Sequence, residues 1–236
     1  MKNIIIIACY LIVQMTLFIS AIFFDLEIPV KFLQYPFIVI NFIFSLWLLI
    51  DLNNKDSKIC SAALFFTLIA DTFLVLIDNY KIFAMLSFSI TQILYFVRLY
   101  NFRKEKNKVQ IFDIIRIAIV MIVLLGAKII LKDSMDILVV LVCFYFSMLV
   151  LNFIEGIRNY RTSKLFIVGL ILFIFCDILI GFANAEDYLT ITEGSLIYTL
   201  LNADIDLAWL FYFPSQMLIV LSIVEKKIGE KNVKND

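Results

Sequence analysis

Histidine is missing altogether from the 236 residues. That one absence removes His-assisted serine or cysteine hydrolysis, zinc sites of the usual kind and haem held by an imidazole. Charge is short too: 17% of residues are charged, against about 25% in an ordinary soluble domain. Twenty basic side chains balance twenty acidic ones, so nothing points to nucleic acid as a partner. Proline and glycine number three and six, and no Ser/Gly/Pro-rich linker separates two domains. What is plentiful is apolar: 63% of residues are hydrophobic, 24 are Phe, and the mean hydropathy is +1.01. Too few polar residues remain to cover a water-facing surface. The composition is that of an integral membrane protein.

A membrane-spanning helix takes roughly 20 mostly apolar residues to cross ~30 Å of hydrocarbon. Eight stretches qualify, at 4–24, 32–50, 59–77, 82–99, 111–131, 137–154, 165–183 and 207–224. The first carries no charge and lacks an A-x-A cleavage site, so it is expected to be retained rather than removed as a signal peptide. Ala8-Cys9 is similar to the end of a lipoprotein signal, but too few apolar residues precede it for lipidation to be expected. The expected fold is all-α: one polytopic bundle over 4–224, with a cytoplasmic tail over 225–236.

Orientation follows from Lys and Arg. With the N-terminus inside, the inner segments hold Lys2, Lys55, Lys58, Arg98, Arg103, Lys104, Lys106, Lys108, Arg158, Arg161, Lys164, Lys226, Lys227, Lys231 and Lys234, fifteen in all. The outer segments hold Lys31, Lys81 and Lys132, with Lys128 close enough to snorkel outward. This asymmetry predicts that both termini are cytoplasmic in a multi-pass protein of the cell membrane. It also accounts for the basic stretch Asn101–Lys108 without a nucleic-acid or phosphoinositide ligand. The outer segment Glu186–Asp206 is acidic throughout and reads as a solvated loop or as a funnel for cationic head groups; Leu196–Leu201 within it suits an amphipathic turn on the bilayer surface. Arg98, Arg116, Lys128 and Glu155 fall near helix ends, where they are expected to snorkel, and Asp113 is expected to be solvated. Tyr35, Trp47, Tyr80, Tyr100, Tyr160 and Trp209 fit an interfacial aromatic belt. Cys9, Cys60, Cys143 and Cys176 are dispersed through the spans as small apolar fillers, neither disulfides nor metal ligands.

The chain repeats itself. Residues 63–79, ALFFTLIADTFLVLIDN, align with 169–184, GLILFIFCDILIGFAN, placing Asp71 on Asp177 and Asp78 on Asn184. The following helices agree as well: AMLSFSITQILY at 84–95 against AWLFYFPSQMLI at 208–219 sets Thr91-Gln92 on Ser215-Gln216. Both Asp-bearing helices run the same way, so the halves are expected to be parallel repeats about an axis along the membrane normal. Asp71 and Asp177 then share a level, and so do Gln92 and Gln216. An Asp inside a bilayer costs about 2.5–3.5 kcal/mol on insertion scales, so both must face the bundle interior. One reading is a hydrogen-bonded staple between helices, with Gln92 and Gln216 as partners. The other is a paired-carboxylate centre: two neighbouring acids resist double ionisation, which sets a proton donor beside a proton acceptor. Tyr95, one turn from Gln92, and Tyr212, one turn before Gln216, are candidates for lining the same pocket.

These residues carry a resemblance. F-F-T-L-I-A-D-T-F-L at 65–74, followed by F-x-x-x-x-F-x-x-x-Q-x-x-Y from Phe83 to Tyr95, resembles the first half of the YhhN family. Cys176-Asp177-Ile178-Leu179 and Tyr212–Ile219 are similar to its second half, and the likeness spans roughly 32–224. Three positions depart from the family pattern. Gln92 stands where a His is usual, Tyr35-Pro36 replaces a Lys-Pro pair, and Asn184 lies near the place of a basic residue.

The resemblance implies eight helices and the activity of the family's characterised members, which are lysoplasmalogenases. They cleave the vinyl ether of a lysophospholipid, releasing a fatty aldehyde and a glycerophospho-head group. Asp71 and Asp177 would be the catalytic pair, in either order. Gln92, Tyr95, Tyr212 and Gln216 would bind substrate, water or the carboxylates, with no metal and no cofactor. A rival from another class fits the same residues: a proton- or cation-coupled transporter or sensor also uses parallel repeats and intramembrane carboxylates.

Overall fold

The computed structural model describes residues 2–24, 29–103, 111–132, 135–159, 162–184 and 191–232. Lys104, Lys106, Lys108, Tyr160, Arg161, Glu186 and Asp187, all weighed above, lie outside them, and so do the side chains of Lys2, Lys226, Lys227, Lys231 and Lys234. The elements are α1 (Lys2–Phe23), α2 (Lys31–Leu52), α3 (Lys55–Asp71) running into a π-helical turn (Thr72–Ile77), α4 (Lys81–Phe102), α5 (Ile111–Leu131), α6 (Ile137–Arg158), α7 (Lys164–Ala183), the short α8 (Leu196–Leu201) and α9 (Leu207–Asn232). Eight of them are long and apolar enough to cross a membrane: Asn3–Phe23, Lys31–Leu52, Lys55–Ile77, Lys81–Phe102, Ile111–Leu131, Ile137–Arg158, Lys164–Ala183 and Leu207–Glu225. Each coincides with one of the expected stretches to within a few residues. No strand occurs among the described residues, and the chain is an all-α, multi-pass membrane bundle.

Local chemistry sets the helix ends. Asn54 caps α3 through a reciprocal box: its Oδ1 accepts from the Ser57 amide at 2.8 Å, while Ser57 Oγ accepts from the Asn54 amide at 3.3 Å. Asp136 and Ser163 cap α6 and α7 by accepting from Val139 and Phe166. Asn53 closes α2 in the left-handed region, φ 41°. Leu196–Leu201 does form a turn of helix; beside it Glu193, Asp204 and Asp206 are exposed.

Packing follows from which faces are apolar on both sides. Helices α2, α3, α4, α6, α7 and α9 pack in succession, and α9 closes the ring against α2 and α3. The α7–α9 approach is close because Gly169 faces α9; a Cβ there would meet Ile219 Cγ1 at 2.8 Å and the Ser215 carbonyl oxygen at 3.0 Å. Helices α1 and α5 lie outside the ring, α1 on α2 and α9, α5 on α6, and present Ile4, Ile12, Ile117, Ile122 and Ile129 outward, as a lipid-facing helix should.

One expectation is overturned at the end of the bundle rich in Lys and Arg. Arg98, Arg116 and Glu155 do not snorkel, and Asp113 does not stand alone in solvent. Arg98, fully buried, binds Asp56 through Nε at 2.7 Å and Nη2 at 2.9 Å, and donates from Nη1 to Ser222 Oγ at 2.8 Å. Glu155 bridges Arg103 and Arg116, and Arg103 also holds Asp113 with two bonds of 2.9 and 2.7 Å. Burial opposes charge on Arg103, but Asp113 and Glu155 outweigh it and hold its guanidinium above the ordinary range. A guanidinium met by carboxylates from neighbouring helices has no need of the interface, and one helix read alone cannot reveal those partners. The cysteines form no disulfide: Cys60 and Cys176 are buried, Cys143 half-buried and Cys9 exposed.

Candidate active site

Asp71 is the last residue of α3 before the helix widens into the π-helical turn Thr72–Ile77, which ends on Asp78 in the left-handed region, φ 52°. Wide turns of this kind recur at functional sites, since they redirect a side chain and release backbone groups from the regular ladder. Neither Gly nor Pro marks it. Thr72 Oγ1 is tied back to the Leu68 carbonyl at 2.7 Å and lies 3.0 Å from the Tyr35 hydroxyl of α2, so Tyr35 braces the turn rather than serving only as a belt residue.

Asp71 is buried, and the hydroxyl of Tyr212 on α9 donates to its Oδ2. Asp177, on α7, is half-buried and accepts at Oδ2 from the hydroxyl of Tyr145 on α6 at 2.5 Å. The two carboxylates lie within electrostatic reach of each other, and Tyr145 and Tyr212 both feel Asp71. Phe173 stands between the two tyrosines, its ring centroid 6.3 Å from Tyr145 and 5.5 Å from Tyr212. Four helices thus deliver one acid or one phenol each to a single aromatic-walled centre. Among the described residues, no Lys or Arg forms an ion pair with either aspartate, and no three His, Cys, Asp or Glu side chains group as metal ligands do.

The other expected residues lie elsewhere. Gln92 is fully buried, but its Oε1 and its backbone carbonyl both accept from Asn152 Nδ2, at 3.1 and 2.9 Å, and Asn152 in turn accepts from Arg116 at 2.8 Å. It therefore belongs to the charged end of the bundle. Gln216 lies one turn from Tyr212 on α9, and Tyr95 is fully buried on α4. Among the described residues neither glutamine hydrogen-bonds an aspartate. Tyr145 is the partner that sequence reasoning missed. Its only signal was a lone phenol in the middle of an apolar helix, without a counterpart in the repeat.

Fold and site together define a polytopic helical membrane protein with a paired-carboxylate centre buried among aromatic side chains. The YhhN family model matches residues 30–223, most of the chain, and the chain belongs to the YhhN family. No curated protein sequence and no solved structure matches it.

Proposed function

We propose that this chain is a lysoplasmalogenase-type hydrolase that cleaves the vinyl ether of a lysophospholipid through Asp71 and Asp177. One observation carries the reading: two carboxylates from different helices, within electrostatic reach, each holding a phenol and, among the described residues, neither ion-paired with Lys or Arg. Family membership supports it, since lysoplasmalogenase-like proteins are associated with this family.

The chemistry suits such a pair. One aspartic acid protonates the β-carbon of the enol ether, the alkene carbon not bonded to oxygen, and the positive charge is carried by the resulting oxocarbenium ion, which faces the other, ionised carboxylate. That carboxylate takes a proton from water as the water oxygen bonds to the cationic carbon, giving a hemiacetal. It then returns this proton to the leaving oxygen, while the hemiacetal hydroxyl gives its proton to the first aspartate. The C–O bond breaks, an aldehyde and a glycerophospho-alcohol are released, and both carboxyls regain their starting state. No metal and no nucleophilic serine takes part. Tyr212 and Tyr145 hold the carboxylates in place, and the partial exposure of Asp177 gives the vinyl ether its approach.

The membrane setting belongs to the same proposal. Fifteen inner Lys and Arg residues favour a cell-membrane protein with both termini in the cytoplasm, which puts the aspartates towards the outer face. The repeat is supported by matching neighbours: α2–α3 and α3–α4 recur as α6–α7 and α7–α9, and α4 meets α6 as α9 meets α2.

The test is aldehyde release from detergent-solubilised protein given lysoplasmalogen, with ester-linked lysolipid as the control. Turnover without a gradient is expected. A fully folded protein that releases no aldehyde overturns the hydrolase and leaves the carrier that uses the same aspartates.

A further inference from the structure

Between the aspartate centre and the Arg98–Asp56 pair runs a column of buried polar groups on three helices. On α3 it comprises Asp71, Thr67, Cys60 and Asp56; on α9, Tyr212, Gln216 and Ser222; on α4, Thr91, Tyr95 and Arg98. Its two ends are satisfied. Tyr212 donates to Asp71 at one, and Arg98 joins Asp56 and Ser222 at the other. Its middle is not. Gln216 is 1% exposed, yet among the described residues neither its Nε2 nor its Oε1 has a hydrogen-bond partner. The same holds for Ser215 Oγ and for the hydroxyl of Tyr95, whose neighbour Thr67 donates to the Ala63 carbonyl at 3.2 Å. A primary amide with every donor and acceptor unmet, in hydrocarbon, is among the costliest things a membrane bundle can bury. Gln216 sits on α9 between Tyr212, which meets Asp71, and Ile219, whose carbonyl faces Cys60 Sγ at 3.9 Å, and Tyr95 lies within electrostatic range of both Asp71 and Cys60. Unmet donors and acceptors brought to one level in this way are the environment that internal water satisfies, each molecule making about three bonds.

We propose that Gln216 and Tyr95 bind a cluster of internal water molecules between α3, α4 and α9, a reservoir that supplies the hydrolytic water to Asp71 and Asp177. The supply role rests on the hydrolase reading; the binding of water does not. The chemistry explains the need. Each turnover consumes one water, whose oxygen ends on the aldehyde. A lipid seated over the half-buried Asp177 shuts out bulk water from that side at the moment water must attack. Gln216, one turn from Tyr212, is placed to hand a water to the carboxylate that Tyr212 holds. The Arg98–Asp56–Ser222 cluster closes the far end, so the column stores water and does not leak it.

Radiolytic hydroxyl labelling of the full chain in detergent tests the water directly, because activated bound water oxidises the side chains beside it. Tyr95 is expected to be modified at least ~5-fold more than Phe213, a side chain of similar burial whose ring packs edge-on against Phe37, if ordered water lies against it. Gln216→Leu, which keeps the volume and removes the amide, should reduce that labelling to the Phe213 level. Labelling of wild-type Tyr95 no greater than that of Phe213 overturns the reservoir, whatever the activity. In the hydrolysis assay Gln216→Leu should lower kcat about tenfold with KM unchanged, and Gln216→Asn should recover part of it. Unchanged kcat in Gln216→Leu overturns the supply role. Strong Tyr95 labelling in a protein that cleaves no vinyl ether upholds the water site and rejects the hydrolase.

Discussion

The two ends of this bundle bury acidic side chains in opposite ways. At the basic end Asp56, Asp113 and Glu155 each meet a guanidinium at 2.5–2.9 Å, and every one of those ion pairs joins different helices or a helix and its flank. At the other end, among the described residues, Asp71 and Asp177 are hydrogen-bonded by phenols and form no ion pair with Lys or Arg. A carboxylate that only had to hold helices together would gain most from the first arrangement, where its charge is cancelled. Leaving two acids uncancelled within reach of each other sacrifices stability and keeps their protons available for chemistry. Under the proposed function, the contrast separates acids that hold the bundle together from acids that do its chemistry.

The same substitution made at both ends should therefore do opposite things. Asp56→Asn leaves Arg98 as a buried, uncompensated cation and should cost about 3–5 kcal/mol, read as a large fall in Tm in detergent. A Tm near wild type would break the comparison at its structural end. Asp71→Asn and Asp177→Asn should leave Tm close to wild type, since an amide is easier to bury than a charge, yet lower aldehyde release at least ~100-fold. Full activity in both variants would eliminate the acid–base pair. Gly169→Ala, on α7 between the two ends, pushes a methyl against Ile219 and the Ser215 carbonyl; overpacking of this kind costs about 1–3 kcal/mol, to be read as Tm. The smallest effect is expected from Tyr212→Phe and Tyr145→Phe, each removing one hydrogen bond to a carboxylate for about a tenfold loss of turnover at unchanged Tm. Tenfold losses that come with falling Tm would place the tyrosines among the structural groups instead.

Much of this was legible beforehand, and the residues show why. All eight spans are plain in the sequence because hydrocarbon demands some twenty apolar residues in a row whatever the neighbours are. Asp71 and Asp177 stand out because an acid inside such a run is too costly to be incidental. Gln92 misled: its register matches Gln216, but Asn152 on α6 claims it, whereas among the described residues no side chain of α2, the counterpart of α6, hydrogen-bonds Gln216. Tyr145 went unseen because a phenol in an apolar helix is compatible with packing alone. Arg116 and Glu155 looked like snorkelling residues because their partners come from other helices.

Composition and hydropathy by themselves determined that this chain is an all-α membrane bundle, where its eight spans fall to within a few residues, and that Asp71 and Asp177 lie well inside two of them. These are one-dimensional facts, set by the transfer free energy of each segment on its own. Only the tertiary structure decided which acids are cancelled and which are not, that Asp71 ends at a π-helical turn, and that phenols from α6 and α9 hold the pair. Those depend on how six helices close into a ring, and a side chain's partner across a helix interface is fixed by rotation and register that no single segment encodes.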